Sequence, residues 1–226
     1  MEVYIMEKIR TVIWDCDNVI WFHKKEETQI MANALGITDV EEFSVEFFSM
    51  INCFNSHFAN KRVTLRETYK IIERAMPILC FYGISSEKFM KVWNELKIII
   101  NQFNEDALVI MEDLYEKGIK NIIKTDWWRD TQIVLLKEYG ILRYIEKLYS
   151  CDNAYLKCNP LSAKGIITQG KEAEYVIIGD SLFSDIAFAK HTGIKSIWLN
   201  RDGKQNGTQF KPTYEITSLL EVIDII

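Results

Sequence analysis

The stretch Val12-Ile13-Trp14-Asp15-Cys16-Asp17-Asn18-Val19-Ile20 constrains this chain more than any other. A short apolar run reads as a buried strand, stops at two carboxylates two residues apart, turns at Asn18 and becomes apolar again. Charged carboxylates are too costly to bury inside such a strand, so they belong at its carboxyl end. In an open parallel sheet that edge is where ligands bind. There Asp15 and Asp17 are able to share a hard cation and to set a nucleophile beside a proton donor. A solvated turn explains two such aspartates equally well, so the rest of the chain has to decide.

Downstream, the apolar spacing is helical for about eighty residues. Ile30, Met31, Ala34 and Leu35 fall on one face, stopped by Gly36. Three further stripes follow: Phe43, Phe47, Ile51, Phe54 and Phe58; then Leu65, Tyr69, Ile72 and Met76; then Phe89, Trp93, Leu96 and Ile100, opened by Ser85 or Ser86 as N-cap. Residues 22–102 therefore read as an all-helical block with no convincing strand. The rhythm then changes. Helices over Ala107–Tyr115, Ile133–Tyr139, Leu161–Gln169, Leu182–His191 and Ile216–Ile225 alternate with strands over Ile119–Lys124, Lys147–Ser150, Tyr175–Ile178 and Lys195–Leu199. Such alternation predicts a parallel sheet with right-handed crossovers. The expected architecture is α/β: a Rossmann-like parallel sheet with helices on both faces, spanning 1–21 and 103–226, interrupted by a helical cap over 22–102.

Composition narrows the function classes. The 226 residues are 48% hydrophobic and 26% charged, as in ordinary globular proteins. A formal net charge of -5 argues against a nucleic acid polymer or an anionic membrane as the main partner. An anionic substrate must then be attracted locally, by a metal, a lysine or backbone N–H groups. The five cysteines show no CxxC spacing, Met1-Glu2-Val3-Tyr4 lacks signal-peptide character, and the apolar run Met76–Ile84 is too short to span a bilayer. A cytoplasmic protein, monomeric or homodimeric, is expected.

Four strand ends carry residues suited to phosphate chemistry: Asp15 and Asp17 after the first, Thr125 after the second, Lys157 after the third, Asp180 and Asp185 after the fourth. Each has a plainer reading. Thr125 and Asp180 serve as helix caps, Lys157 as a solvated lysine with Lys164 near enough to take its role, and Asp185 as a solvent-facing residue of a first turn. Because the carboxyl ends of parallel strands share one edge, their joint order behind apolar strands favours a common site.

These motifs resemble the haloacid dehalogenase superfamily of phosphotransferases. Asp15-Cys16-Asp17-Asn18-Val19 matches its first motif, DxDx(T/V), and Ile122-Ile123-Lys124-Thr125 its second. Lys157-Cys158-Asn159-Pro160 approximates the third, with Cys158 where proline is usual, and Gly179-Asp180-Ser181-Leu182-Phe183-Ser184-Asp185 matches the fourth. The helical block lies where many members carry a four-helix cap.

The resemblance implies a phosphatase acting on a small phosphorylated metabolite. Asp15 would be the nucleophile and Asp17 the general acid and base. Mg²⁺ would be held by Asp15, the backbone carbonyl of Asp17 and Asp180, with Asp185 acting through water. Thr125 and Lys157 would hold phosphate oxygens, with Asn18 and Asp126 beside them. Asp126 stands where the family has a small or neutral residue. Asp17 places the chain on the phosphate side of the family, since dehalogenases lack this acid. Specificity is expected from the cap, with Trp21, Phe22 and His23 at the hinge and His57, Lys61, Arg62 and Arg66 as candidate substrate contacts. Trp127 and Trp128 are open to roles in core, cap contact or substrate platform. Two alternatives are a sugar phosphomutase of the same family and a receiver-like signalling module; the long helical insertion and Asp17 argue against the second.

Overall fold

The structure, a computed structural model, describes residues 8–226; the Met1–Tyr4 segment read above for signal character lies outside them. Six strands form one fully parallel sheet: β1 (Thr11–Trp14), β4 (Lys120–Lys124), β5 (Ile145–Tyr149), β6 (Tyr175–Gly179), β7 (Lys195–Leu199) and β8 (Tyr214–Ile216), in the order β5-β4-β1-β6-β7-β8. Two short strands, β2 (Trp21–His23) and β3 (Asn101–Phe103), pair antiparallel outside it. From β1 the chain builds towards β4 and β5 on one side and later towards β6, β7 and β8 on the other. The reversal opens a crevice at the carboxyl ends of β1, β4 and β6.

The pleat explains the near-continuous apolar sequence of the central strands. Val12 and Trp14 of β1, with Val176 and Ile178 of β6, join the cluster beneath α6 (Glu105–Glu116). Ile13 and Ile177 point the opposite way, towards Phe188 and Ala189 of α8 (Ala187–Thr192). Both faces are thus covered, and α7 (Arg129–Glu138) completes the β4-to-β5 crossover.

The block between β2 and β3 is helical: α1 (Glu27–Leu35), α2 (Val40–Phe58), α3 (Leu65–Ala75), α4 (Pro77–Phe81) and α5 (Ser86–Ile100). Side chains of Asp39, Thr64 and Ser85 cap α2, α3 and α5, and Gly36, at φ 74°, ends α1 in the left-handed region. Phe43, Phe47, Phe54 and Phe58 are buried in the bundle with Phe89 and Trp93, as the stripes predicted. This cluster continues onto the α/β core through Cys151, Leu156 and Trp127.

Four local expectations need correction. Residues 22–102 are not strand-free, because Trp21–His23 and Asn101–Phe103 pair where the chain leaves and re-enters the core. The helix expected over Leu161–Gln169 is a 3-10 turn, Pro160–Ala163, followed by Gly165 at φ 81°. The final helix expected over Ile216–Ile225 divides into β8 and a 3-10 helix, Leu219–Asp224, since the open edge of β7 takes up Tyr214–Ile216 as a sixth strand. The helix expected from Leu182 begins as a π turn, Leu182–Ile186.

Candidate active site

Asp15 follows β1, and its backbone N–H still bonds Ile178 O at 3.0 Å, which holds the side chain at the sheet edge beside β6. One of its carboxylate oxygens lies 2.6 Å from Lys157 Nζ, and the same ammonium donates to Asp185 Oδ1 at 2.6 Å. Asp15, Asp180 and Asp185 each offer an oxygen within 4.8 Å of the others. The structure therefore brings Asp15, Lys157, Asp180 and Asp185 together, while Lys164 is exposed and takes no part in this cluster.

Local structure explains the convergence. The π turn widens the start of the helix after β6, so that Asp185 folds back and accepts the Ser181 N–H at 3.0 Å. Lys157 is set by its backbone, whose N–H donates to Asp126 Oδ1 at 2.8 Å. Asp126 also accepts from Lys124 Nζ and from Ser184 Oγ, each at 3.1 Å. Both Asp126 oxygens are thus engaged within the protein, and the residue braces β4, the Lys157 loop and the π turn together. The sequence reading had set it at the phosphate. Asn18 adopts φ 60° and donates from Nδ2 to Asp180 Oδ2 at 3.3 Å. Thr125 Oγ1 accepts from the Trp127 N–H at 3.2 Å and from Gln132 Nε2 at 3.3 Å, and its own hydroxyl lies beside the Cys16 thiol.

The electrostatics are those of an acidic cluster with too little positive charge. Burial, then the charge of Asp185, pushes Asp15 up to about 8 despite Lys157. Burial and Asp15 push Asp180 up to about 6, and burial also raises Asp185. Burial alone would lower Lys157, but Asp15, Asp185 and Asp126 outweigh it and hold the ammonium well above its ordinary range. Three carboxylates around one ammonium form a donor set that fits a divalent cation.

Asp17 has a different surrounding. Its Oδ1 accepts the Trp21 indole N–H at 2.9 Å and its Oδ2 accepts Gln132 Nε2 at 3.1 Å. His23 Nε2 lies 3.4 Å from Oδ1, with Glu27 Oε2 3.2 Å from the other ring nitrogen. Burial would raise Asp17, but His23, Lys97 and Trp21 hold it far below the usual carboxylate range. Against burial, Asp17 and Glu27 raise His23 to about 10. Asp17 is thus ionised and fixed by residues from β2 and α7.

Sequence reasoning missed Gln132, Lys124 and Lys97. Gln132 and Lys124 carry no pattern of their own. Lys97, four residues after Trp93, falls on the apolar stripe of α5, and a lysine there was a readable signal. Of the cap candidates, His57 and Lys61 lie 3.5 and 3.1 Å from Glu67, and the Arg62 guanidinium stacks 4.5 Å above the Tyr155 ring; Arg66 is exposed. Trp127 packs between Phe54 and Trp93, at centroid distances of 5.0 and 4.7 Å, which makes it a cap contact.

The family model for haloacid dehalogenase-like hydrolases matches residues 12–199, from the strand before Asp15 to the end of β7. The chain belongs to the haloacid dehalogenase-like hydrolase family. A member from Bacillus subtilis, YfnB, named as a HAD-hydrolase, aligns at 40% identity over 98% of this chain and 97% of its own. Its solved magnesium-bound structure superposes with a TM-score of 0.75 over 97% of this chain and 99% of that one. Identity over the superposed residues is 21%, and the two chains share a fold. The pyrimidine 5'-nucleotidase PynA of Streptococcus pneumoniae is 41% identical over 51 residues, 23% of this chain and 22% of that protein. The pyrophosphatase PpaX of Halalkalibacterium halodurans is 26% identical over 127 residues, 54% and 59% of the two chains. This chain thus matches less than two thirds of either of these last two relatives. Among the described residues no helix is long and apolar enough to cross a membrane.

Proposed function

We propose that this family member is a Mg²⁺-dependent phosphatase that hydrolyses a small-molecule phosphomonoester through an aspartyl-phosphate on Asp15. The observation that carries the reading is the pairing of Asp15 with Lys157 at 2.6 Å beside a second, separately held carboxylate, Asp17. Relatives named as a nucleotidase and a pyrophosphatase support phosphoryl chemistry.

Asp15, the Asp17 backbone carbonyl and Asp180 would hold the ion, with Asp185 behind them. Bound there, Mg²⁺ supplies the positive charge that lets an anionic nucleophile meet an anionic phosphate. Lys157 offsets the remaining repulsion, and Thr125 Oγ donates to a phosphate oxygen. A carboxylate oxygen of Asp15 forms a bond to phosphorus as the ester P–O bond breaks, and the leaving oxygen takes a proton from Asp17. Asp17 is ionised in the ligand-free site; a phosphate dianion entering beside it raises its pKa, so that Asp17 takes up the proton from solvent before the ester bond breaks. Asp17 then takes a proton from water, which attacks phosphorus and releases phosphate and Asp15. Trp21, Gln132 and His23 keep Asp17 in place for both half-reactions.

Asp15 is only 8% exposed and Lys157 2%, so substrate enters when the cap moves aside. The magnesium-bound YfnB structure is described as revealing interdomain movement, which supports the same behaviour here. The test is phosphate release from an aryl phosphate with and without Mg²⁺, in wild type and Asp15→Asn. Metal-dependent release lost in the variant is the expected result; release that persists in Asp15→Asn overturns the nucleophile.

A further inference from the structure

Lys97 is the buried charge that the reaction just described leaves unused. It lies on the last turn of α5, is 2% exposed, and its ammonium makes no hydrogen bond or ion pair with any described residue. Nζ stands 4.7 Å from the centre of the Trp93 ring and 6.0 Å from that of Trp127. The nearby acidic charges are those of Asp17 and Glu27, and neither lies within ion-pair distance. The indole N–H groups of Trp93 and Trp127 are buried and likewise have no acceptor within the protein. An ammonium and two indole donors thus gather, without acceptors, at the junction of cap and core on the Asp17 side of the site.

Buried donors are ordinarily paired, and an unpaired buried ammonium is costlier than any neutral donor. The complement that relieves it is an anion, since a neutral carbonyl offsets less of a desolvated charge. Asp17 serves the leaving oxygen, so a group beside Asp17 on the cap side meets the part of the substrate that departs. Resting on the phosphatase reading above, we infer that Lys97 reads the leaving group, and that it takes an oxyanion carried close to the scissile bond. The Trp93 ring faces the ammonium at 4.7 Å, and the Trp93 and Trp127 N–H groups are further donors left without acceptors at this junction. The oxyanion comes either from a carboxylate, in the phosphate ester of a short hydroxy acid, or from a second phosphate, as in a diphosphate. Because α5 belongs to the cap, Lys97 reaches the leaving group only when the cap is closed over the site.

The experiment compares full-length wild type, Lys97→Met and Lys97→Arg, with Mg²⁺, on 2-phosphoglycolate, pyrophosphate and propyl phosphate. Wild type is expected to favour at least one oxyanion substrate over propyl phosphate by roughly tenfold or more in kcat/KM. Lys97→Met collapses that ratio, mainly through KM, and Lys97→Arg restores part of it. The substrate whose advantage disappears identifies the source of the oxyanion. An equal loss on all three substrates, or no loss, overturns the inference. Failure of the phosphatase reading shows separately, as absent aryl phosphate turnover by folded wild type. Binding then decides: 2-phosphoglycolate and pyrophosphate are titrated calorimetrically into Asp15→Asn with and without Lys97→Met. Weaker binding in the double variant supports Lys97 as the anion contact, and equal binding overturns it.

Discussion

An ideal Cβ on Gly179 would stand 2.0 Å from Cγ of Asp185 and 2.2 Å from its Oδ2, so Asp185 occupies the space a side chain at 179 would fill. The glycine at the end of β6 is there for this close approach and does not adopt a positive φ. Gly179→Ala is expected to destabilise the fold by about 1–3 kcal/mol through overpacking. It also displaces Asp185 from Lys157 and weakens Mg²⁺ binding. Urea unfolding with and without Mg²⁺ checks both, and unchanged metal affinity would count against Asp185 as part of the ion site.

Lys157 is the sole ammonium within 4.0 Å of Asp15 and Asp185 among the described residues. Lys157→Met leaves buried carboxylates facing one another and is expected to cost about 3–5 kcal/mol in metal-free protein. Mg²⁺ should recover part of that loss. The exposed Lys164, changed to Met, is expected to stay within about 0.5 kcal/mol of wild type. Chemical denaturation of the two variants in chelator and in Mg²⁺ separates the two lysines.

Stability of the metal-free protein is expected to fall as pH rises. Asp15 has a folded pKa of about 8 against 3.8 unfolded, so the native state keeps a proton that the unfolded state releases, and stability declines from about pH 4 to about pH 8. His23, raised from 6.5 to about 10, gives stability that is complete below about 6.5 and lost as pH rises through about 10. Mg²⁺ should flatten the lower limb and His23→Gln the upper. Melting temperatures across this range provide the test; a metal-free Tm that climbs between pH 5 and 8 would refute the assignment.

Trp127 ties the core to the cap through its contacts with Phe54 and Trp93. Trp127→Ala is expected to cost about 3 kcal/mol, near the low end for loss of a large aromatic, since the ring is only partly buried. Its removal should also loosen the cap over Asp15. Faster reaction of buried Cys16 and Cys151 with a thiol reagent, at a pH where the chain stays folded, would report that loosening.

Much of the site was legible because its residues punctuate apolar strands. Asp15, Thr125 and Asp180 each follow a run such as Val12–Trp14 or Val176–Ile178, and parallel strands bring their ends to one edge whatever lies between. The phenylalanine stripes of α2 were legible for a similar reason, since helical spacing fixes which side chains share a face. The bonds Asp126 makes were not legible, because its neighbours in space, Lys124 Nζ, the Lys157 N–H and Ser184 Oγ, come from three segments. The strands β2, β3 and β8 are each three residues long, too short to show a period.

The sequence by itself determined the alternation of strands and helices, the helical insertion and the carboxylates at the sheet edge. These follow from local periodicity and from the cost of burying charge within a strand. Only the tertiary structure decided that Lys157 and not Lys164 reaches Asp15, that Asp126 is a brace, and that Lys97 lies buried beside Asp17 without a counter-ion. Those outcomes depend on which side chains from distant segments meet in a low-dielectric space, where pairing fixes the charge each one carries.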